Sequence, residues 1–211
     1  MDTQTIMINQ PTLNIGMIGS VSHGKTKLTE KITGIITLKD SKEKKKNITI
    51  KLGYANTKIY KCDHCEKPVC YQSFPSNTFT ACCKICNAEM KLVKHLSIVD
   101  CPGHNMLMAT MLNGTCIMNN TILVESINSE LPAQQSKEHL IAAHLNNLTN
   151  SLVCVNKLDL VSKEIALQKI QLLKSNLKNT ISENSQIIPI VANFGINVDA
   201  ILQFIVEQIH Y

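Results

Sequence analysis

Residues 19–26 form the stretch Gly-Ser-Val-Ser-His-Gly-Lys-Thr, which matches the pattern Gly-x-x-x-x-Gly-Lys-Ser/Thr. The apolar run 13–18 precedes it as a short buried strand, and the helix-compatible run 27–32 follows it. In this setting the backbone N–H groups of the loop and the helix N-terminus bind a polyphosphate. We expect Lys25 to reach the β- and γ-phosphates and the Thr26 hydroxyl to bind Mg²⁺. The alternative, a chance glycine turn before a helix, is disfavoured by the strand–loop–helix context.

The nucleotide contacts predicted for this loop are Gly19, Ser20, Val21, Ser22, His23, Gly24, Lys25, Thr26 and Lys27.

Length and composition restrict the class of protein. A chain of 211 residues is long enough for one α/β domain, or for one such domain with an insert. Hydrophobic residues make up 44% of it, its mean hydropathy is +0.02, and it has no apolar run of about 18 residues. The first residues have neither the basic nor the apolar region of a secretory signal. We therefore expect a cytoplasmic protein with no membrane partner.

The basic residues are all lysine. There are 21 of them, and the formal net charge is +5. Without arginine the chain cannot form bidentate guanidinium contacts with phosphate, nor can it supply an arginine finger itself. Any catalytic arginine must come from a partner.

Strand-like and helix-like runs alternate along most of the chain. Strands are predicted at 13–18, 90–99, 121–124, 151–155 and 187–191, and helices up to about residue 34 and at 104–117, 132–146, 162–179 and 197–209. This alternation predicts an α/β fold with a mostly parallel sheet, helices on both faces and a ligand at the carboxyl ends of the strands. Residues 1–11 are polar and end in Pro11, so we interpret them as a tail.

The segment 35–56 has poor periodicity and contains the charged run 39–46. Such a run is usually a solvated loop. Its position between the first helix and the second strand is also that of a nucleotide-sensing loop. Thr49 is therefore the candidate hydroxyl that closes on Mg²⁺ and the γ-phosphate.

Two Cys-x-x-Cys pairs follow, about twenty residues apart; they are Cys62 with Cys65 and Cys83 with Cys86. Pairs at this separation are typical of tetrahedral zinc, and four thiolates leave no open position for a substrate. We predict a structural zinc knuckle at about residues 61–88. Cys70 and Cys82 leave the ligand set open, and unliganded cysteines are the alternative. The segment between Cys70 and Cys82 is rich in Ser, Thr, Asn and Pro, so it has few apolar side chains to pack on its own.

An aspartate at the end of a buried strand begins the stretch Asp-Cys-Pro-Gly-His at 100–104. Asp100 is suited to a water-mediated Mg²⁺ contact, and the Gly103 N–H to a bond with the γ-phosphate. Alone this pattern indicates only a turn, but here it follows a phosphate loop by some eighty residues. In the next helix, Met106 and Met111 are spaced as on a core-facing surface.

The strand 151–155 ends in Asn-Lys-Leu-Asp at 156–159. The Asp159 carboxylate can accept hydrogen bonds from the N1–H and 2-amino groups of guanine, which adenine does not offer in that arrangement. We expect Asn156 to tie this loop to the phosphate loop and the stem of Lys157 to cover the base. A plain turn is the alternative.

Together these stretches resemble the GTP-binding domain of translational GTPases, and within that group the gamma subunits of eukaryotic and archaeal translation initiation factor 2. The resemblance covers residues 12–211 and is carried by 19–26, 47–56, 100–104, 107–114, 156–159 and the cysteine insert. The insert and the run Ile-Lys-Leu-Gly-Tyr-Ala at 50–55 distinguish this family from general elongation factors. The resemblance implies a P-loop NTPase G domain that binds GTP or GDP, Mg²⁺ and Zn²⁺.

The resemblance also implies a function. Proteins of this family hydrolyse GTP and deliver methionyl initiator tRNA to the small ribosomal subunit, with alpha and beta subunits, a GTPase activator and an exchange factor as partners. His104 would position the attacking water, beside an apolar gate of Val21 and Ile48. An exposed loop histidine without such a role is the alternative.

Several positions depart from the family pattern. Ser20 stands in place of a histidine, Lys27 in place of Ser or Thr, and Asn105 in place of an acidic residue. The guanine-supporting Ser-Ala motif reads Val191-Ala192-Asn193, with the Ala192 N–H expected at the O6 atom of the base. The two β-barrel domains of the family are absent, so we expect a fragment or a shortened protein.

Two other functions are compatible with the sequence. One is a non-hydrolysing G-domain remnant that docks a partner subunit. The other is a selenocysteine-type elongation factor, which the zinc insert disfavours. An ATPase is poorly compatible with Asp159.

Overall fold

The computed structural model describes residues 3–38, 43, 49–148 and 151–209. Its strands form one eight-stranded sheet in the order β3-β2-β5-β1-β6-β7-β8, with β4 paired to β5. The strands are β1 (Leu13–Ile18), β2 (Gly53–Lys61), β3 (Tyr71–Pro75), β4 (Ala81–Cys82), β5 (Glu89–Asp100), β6 (Asn120–Ser126), β7 (Ser151–Asn156) and β8 (Ile187–Pro189). The helices are α1 (Thr3–Asn9), α2 (Lys25–Thr33), α3 (Met108–Thr115), α4 (Gln134–Leu145), α5 (Lys163–Asn176) and α6 (Val198–Gln208).

The sheet is mixed. Strands β5, β1, β6, β7 and β8 run parallel to their neighbours in that order. Strands β2, β3 and β4 add antiparallel pairings at the β5 side. The parallel part brings the carboxyl ends of β1, β5, β6 and β7 to one edge, where the predicted site residues follow.

Helices cover both faces, as the alternation of runs predicts. Successive residues of a strand point to opposite faces, and in β6 Ile122 and Leu123 accordingly belong to different hydrophobic clusters. The cluster containing Ile122 includes residues of α2 and α6, and that containing Leu123 includes residues of α3, α4 and α5. The α/β fold with helices on both faces is therefore confirmed. No helix in the described residues is long and apolar enough to cross a membrane.

The segment of residues 1–11, which the sequence analysis interprets as a tail, contains α1. Met7 is buried, and its carbonyl oxygen accepts a hydrogen bond from Nδ1 of His95 at 2.7 Å. The hydrogen bond from the buried His95 imidazole thus connects this helix to β5.

The segment between Cys70 and Cys82, which the sequence predicts to have little to pack on its own, contains β3 (Tyr71–Pro75). This strand pairs with β2 and buries Tyr71 at 4% exposure. The expectation that Met106 faces the core is wrong. Met111 lies in the core, but Met106 is 87% exposed because it lies in a separate 3₁₀ turn (Asn105–Leu107) before α3 begins.

Candidate nucleotide-binding site

A cleft of about 550 Å³ lies where the phosphate loop meets the ends of β5 and β7. The phosphate loop, residues 19–26, begins directly after β1 and continues into α2. Among the lining residues outside the loop are Thr49, Gly103, Asn156 and Asn193. Segments that are far apart in sequence therefore form one site.

Lys25 is buried at the floor of this cleft. Its Nζ atom donates hydrogen bonds to the carbonyl oxygens of Gly19 and Ser20 at 2.9 and 2.8 Å. Burial lowers the pKa of Lys25, and the nearby Asp100 acts in the opposite direction. The loop thus curls around its own ammonium group, in the arrangement that a phosphate-binding lysine requires.

Three hydroxyl groups converge on one oxygen of Asp100. Its Oδ2 accepts from Oγ1 of Thr26 and of Thr37, both at 2.7 Å, and from Thr49 at 3.4 Å. Its Oδ1 is buried and has no hydrogen-bond partner among the described residues. Burial also raises the pKa of this carboxyl.

This arrangement fits a hard cation. Mg²⁺ binds oxygen ligands and commonly uses one or two protein oxygens besides water and phosphate. The unpaired Oδ1 of Asp100 and the hydroxyls of Thr26 and Thr49, 2.9 Å apart, supply such a set. Sequence reasoning missed Thr37, because nothing around it indicates that a loop after α2 returns to β5.

Gly103 packs directly against the phosphate loop. A Cβ atom there would lie 2.5 Å from Nζ of Lys25 and 2.7 Å from the backbone nitrogen of Val21. Only glycine fits at this distance. The neighbouring His104 is exposed, and its Nδ1 accepts from the Met106 N–H at 3.3 Å. Ile48, the other half of the predicted gate, lies outside the described residues.

Asn156 joins three segments of the site. Its Nδ2 donates to the carbonyl oxygen of His23 at 2.8 Å, and its Oδ1 accepts from the N–H groups of Lys157 and Ala192 at 2.8 and 2.9 Å. In this structure the Ala192 N–H therefore bonds to Asn156, whereas the sequence predicted it at the base. Gly24 permits the contact, because a Cβ there would lie 2.2 Å from Nδ2 of Asn156.

Of the remaining predicted base contacts, Lys157 and Asn193 line the same cleft. Asp159 is exposed in the 3₁₀ turn Leu158–Leu160, and Lys157 before it has a positive φ of 64°. Val191 is buried in a bridge to Ile196, and Asn193 is exposed. Hence both Asp159 and Asn193 are accessible, and of the two Asn193 lines the cleft.

Two side chains of α4 hold the first half of the phosphate loop, and sequence reasoning missed both. Nδ1 of His139 accepts from the Gly19 N–H at 3.0 Å, and Oε1 of Gln135 accepts from the Val21 N–H at 3.2 Å and from the Ser20 hydroxyl. Burial lowers the pKa of His139 to about 4, which keeps the ring neutral and able to accept. No local signal marks these residues.

The other loop residues have less specific surroundings. Ser22 lines the cleft with φ of 62°, and Lys27 pairs with Glu30 at 2.8 Å. The predicted contact of Lys27 with nucleotide therefore competes with an ion pair.

The four cysteines of the two pairs lie together at the side of the sheet; they are Cys62, Cys65, Cys83 and Cys86, with all sulfur atoms within 4.8 Å of one another. Three of the Sγ···Sγ distances are 3.4 to 3.7 Å, close to the edge of about 3.8 Å that Zn–S bonds of about 2.3 Å give in a tetrahedron. Backbone N–H groups of Cys86 and Ile85 lower the pKa of Cys83 to about 6. The donor set thus fits zinc, and neither Cys70 nor Cys82 belongs to it.

Comparison with known proteins assigns this sequence to a family. The sequence model of the Elongation factor Tu GTP binding domain matches residues 10–211. Eukaryotic translation initiation factor 2 subunit gamma of Encephalitozoon cuniculi is 50% identical over 99% of this chain and 48% of its own length. The Schizosaccharomyces pombe protein of that name is 45% identical over 97% of this chain and 46% of its own length. Translation initiation factor 2 subunit gamma of Methanococcus maripaludis strain C7 is 43% identical, with shares of 95% and 48%.

This chain spans about half the length of these curated relatives. Solved structures with the same fold include a bacterial selenocysteine-specific elongation factor, with a TM-score of 0.71 and 24% identity over 95% of this chain and 30% of that chain. Translation elongation factor SelB of Methanococcus maripaludis in complex with a GTP analogue has a TM-score of 0.65 and 24% identity over 93% and 33%. The sequence match over nearly the whole chain shows that it belongs to the Elongation factor Tu GTP-binding domain family.

Proposed function

We propose that this chain is the GTP-binding, GTP-hydrolysing part of a translation initiation factor 2 gamma subunit. The observation that carries the proposal is the convergence of Thr26, Thr49 and Asp100 beside the buried Lys25. A phosphate-binding lysine next to a hydroxyl–carboxylate group with an unpaired oxygen is suited to a nucleoside triphosphate with Mg²⁺. When bound, Mg²⁺ would neutralise part of the negative charge that develops on the phosphates.

The residues of the chain have distinct roles in this proposal. Phosphate-loop N–H groups and Lys25 bind the phosphates, and the Gly103 N–H, held against the loop, binds the γ-phosphate. Asp159 selects guanine, while Asn156 holds the base-binding loop against the phosphate loop by a hydrogen bond. His104, exposed beside Gly103, positions water rather than acting as a strong base, since phosphoryl transfer depends on positioning and charge stabilisation.

The names of the relatives support a wider role in translation initiation. We propose that the factor delivers initiator methionyl-tRNA to the small ribosomal subunit, together with alpha and beta subunits, in the cytoplasm. Since the chain contains no arginine, an activator would supply one to the hydrolysis step. The identities of 43–50% to initiation-factor gamma subunits, against 24% to selenocysteine-type factors, favour initiation over the elongation alternative.

A magnesium-dependent binding experiment tests the core of this proposal. Equilibrium binding of GTP is measured with Mg²⁺ and with EDTA for the natural chain, for Thr26→Ala and for the control Thr80→Ala, which changes an exposed threonine. We expect Thr26→Ala to lose at least about tenfold in affinity with Mg²⁺ and little with EDTA, because one hydroxyl ligand is removed. Equal losses in both buffers, or no GTP binding by the folded natural chain, would contradict the proposal.

A further inference from the structure

Glu125, near the end of β6, is a buried carboxylate that none of these roles uses. Its exposed fraction is 0%. Oε2 lies 3.2 Å from Nδ1 of His23 and 3.4 Å from the N–H of Ala133, whereas Oε1 has no hydrogen-bond partner among the described residues. A buried carboxylate with one unpaired oxygen is unfavourable in its charged form unless a neighbour supplies positive charge or a proton.

The neighbour that can do so belongs to the phosphate loop. His23 is 5% exposed, and its Nδ1 faces both Oε2 of Glu125 and the carbonyl oxygen of Val124, at 3.2 and 3.3 Å. Both partners accept hydrogen bonds, so Nδ1 carries a hydrogen in either protonation state. With neutral His23 the pair has a charge of about −1, and with one further proton it has none.

Charged groups around the pair set the direction of its response. Lys25 of α2 supplies positive charge to the pair. Burial lowers the pKa of Lys25, and its interaction with Glu125 acts in the opposite direction. His139 of α4 stays neutral, with its pKa lowered to about 4 by burial, and burial raises the pKa of Asp100 on β5. Lys169 of α5 donates to the Ile127 carbonyl oxygen at 2.7 Å.

Phosphates bound at Lys25 change this balance. They neutralise the ammonium group that favours an ionised Glu125, and they add negative charge in front of the loop. Both changes favour an additional proton on the pair. Because the pair is almost completely shielded from water, screening of these interactions is weak.

We propose that His23 and Glu125 together take up a proton from solvent when nucleotide phosphates bind, so that Glu125 determines how nucleotide affinity depends on pH. The inference rests on the proposed function of the site. Uptake of a proton means that affinity falls as pH rises, by at most about tenfold per pH unit for one full proton. Removing the carboxylate removes this part of the pH dependence.

The test compares the natural chain with Glu125→Gln and with the control Glu130→Gln, whose glutamate lies in the same β6–α4 connection with 74% side-chain exposure. The dissociation constant of GDP with Mg²⁺ is measured from about pH 6 to about pH 8.5. We expect Glu125→Gln to have the shallower profile, to bind GDP several-fold more tightly than the natural chain near pH 8.5 and to match it near pH 6. Glu130→Gln should follow the natural chain, and titration of GDP itself contributes equally to all three.

Calorimetry in buffers of different ionisation enthalpy counts the protons directly and should find fewer with Glu125→Gln. Parallel pH profiles and equal proton counts would overturn the inference, as would a uniform loss of affinity in Glu125→Gln. If that variant does not fold, His23→Asn removes the imidazole instead and should also flatten the profile. A folded natural chain that binds no nucleotide at any pH would overturn the proposed function together with this inference, whereas binding with parallel profiles overturns the inference alone.

Discussion

Replacement of Asn156 by alanine removes the link between the base-binding loop and the phosphate loop. The Asn156 side chain is 4% exposed and makes hydrogen bonds to three backbone groups, at 2.8, 2.8 and 2.9 Å. Each neutral hydrogen bond contributes about 1 kcal/mol, and a buried group left without a partner costs about 1–3 kcal/mol. The Ala192 N–H and the His23 carbonyl lie in residues that are 1% and 5% exposed, so water replaces Asn156 poorly. We expect Asn156→Ala to lower the free energy of unfolding by about 3–4 kcal/mol.

The assay is urea unfolding of the nucleotide-free protein, with the zinc content held equal. Asn77→Ala, which truncates an exposed asparagine, is the control and should change the free energy of unfolding by less than about 0.5 kcal/mol. A loss below about 1 kcal/mol for Asn156→Ala would refute the reasoning, because it would mean that these bonds are not formed or are fully replaced by water.

Three further changes test other parts of the molecule. Purified protein should contain about one zinc per chain. Cys65→Ser should lower both the zinc content and the melting temperature, whereas Cys82→Ser should change neither. The same zinc content in both variants would contradict the four-sulfur site. Gly103→Ala should weaken GTP binding at least about tenfold in titrations, because the new Cβ meets Nζ of Lys25 at 2.5 Å, and unchanged affinity would contradict the close packing. His104→Ala should lower single-turnover GTP hydrolysis with ribosomes and activator at least about tenfold while the dissociation constant for GDP stays the same; a larger effect on binding than on turnover would rule out a water-positioning role.

The sequence was sufficient for the parts of the fold whose signals are local. Strand β1 and the start of α2 flank a loop whose sequence pattern occurs in few other structural contexts. Strands β6 and β7 each contain a continuous apolar run, which is typical of central parallel strands. Strand β3 was missed because Tyr71–Pro75 and the residues after it are mostly polar, and pairing with β2 supplies the stability that composition does not indicate.

The candidate site divides in the same way. Lys25, Asp100 and Asn156 could be predicted because each follows a strand within a recognisable pattern. Gln135, His139 and Glu125 could not, because they act on the phosphate loop from more than a hundred residues away, and only the packing of α4 and β6 brings them there. The sequence pattern indicates which backbone groups face the site. It gives no indication that the Ala192 N–H donates its hydrogen bond to Oδ1 of Asn156 instead of to the base.

The most direct test of the proposed guanine-nucleotide site is the base specificity of Asp159→Asn, compared with the natural chain and with Asp199→Asn on α6. Dissociation constants for GTP, ATP and xanthosine triphosphate are measured with Mg²⁺. We predict that the natural chain and Asp199→Asn select GTP over ATP and that Asp159→Asn loses GTP and gains the xanthine nucleotide, because an amide can donate to the xanthine oxygen where the carboxylate accepted from the guanine amino group. Equal binding of GTP and ATP by the natural chain, or an unchanged preference for GTP in Asp159→Asn, would contradict the account.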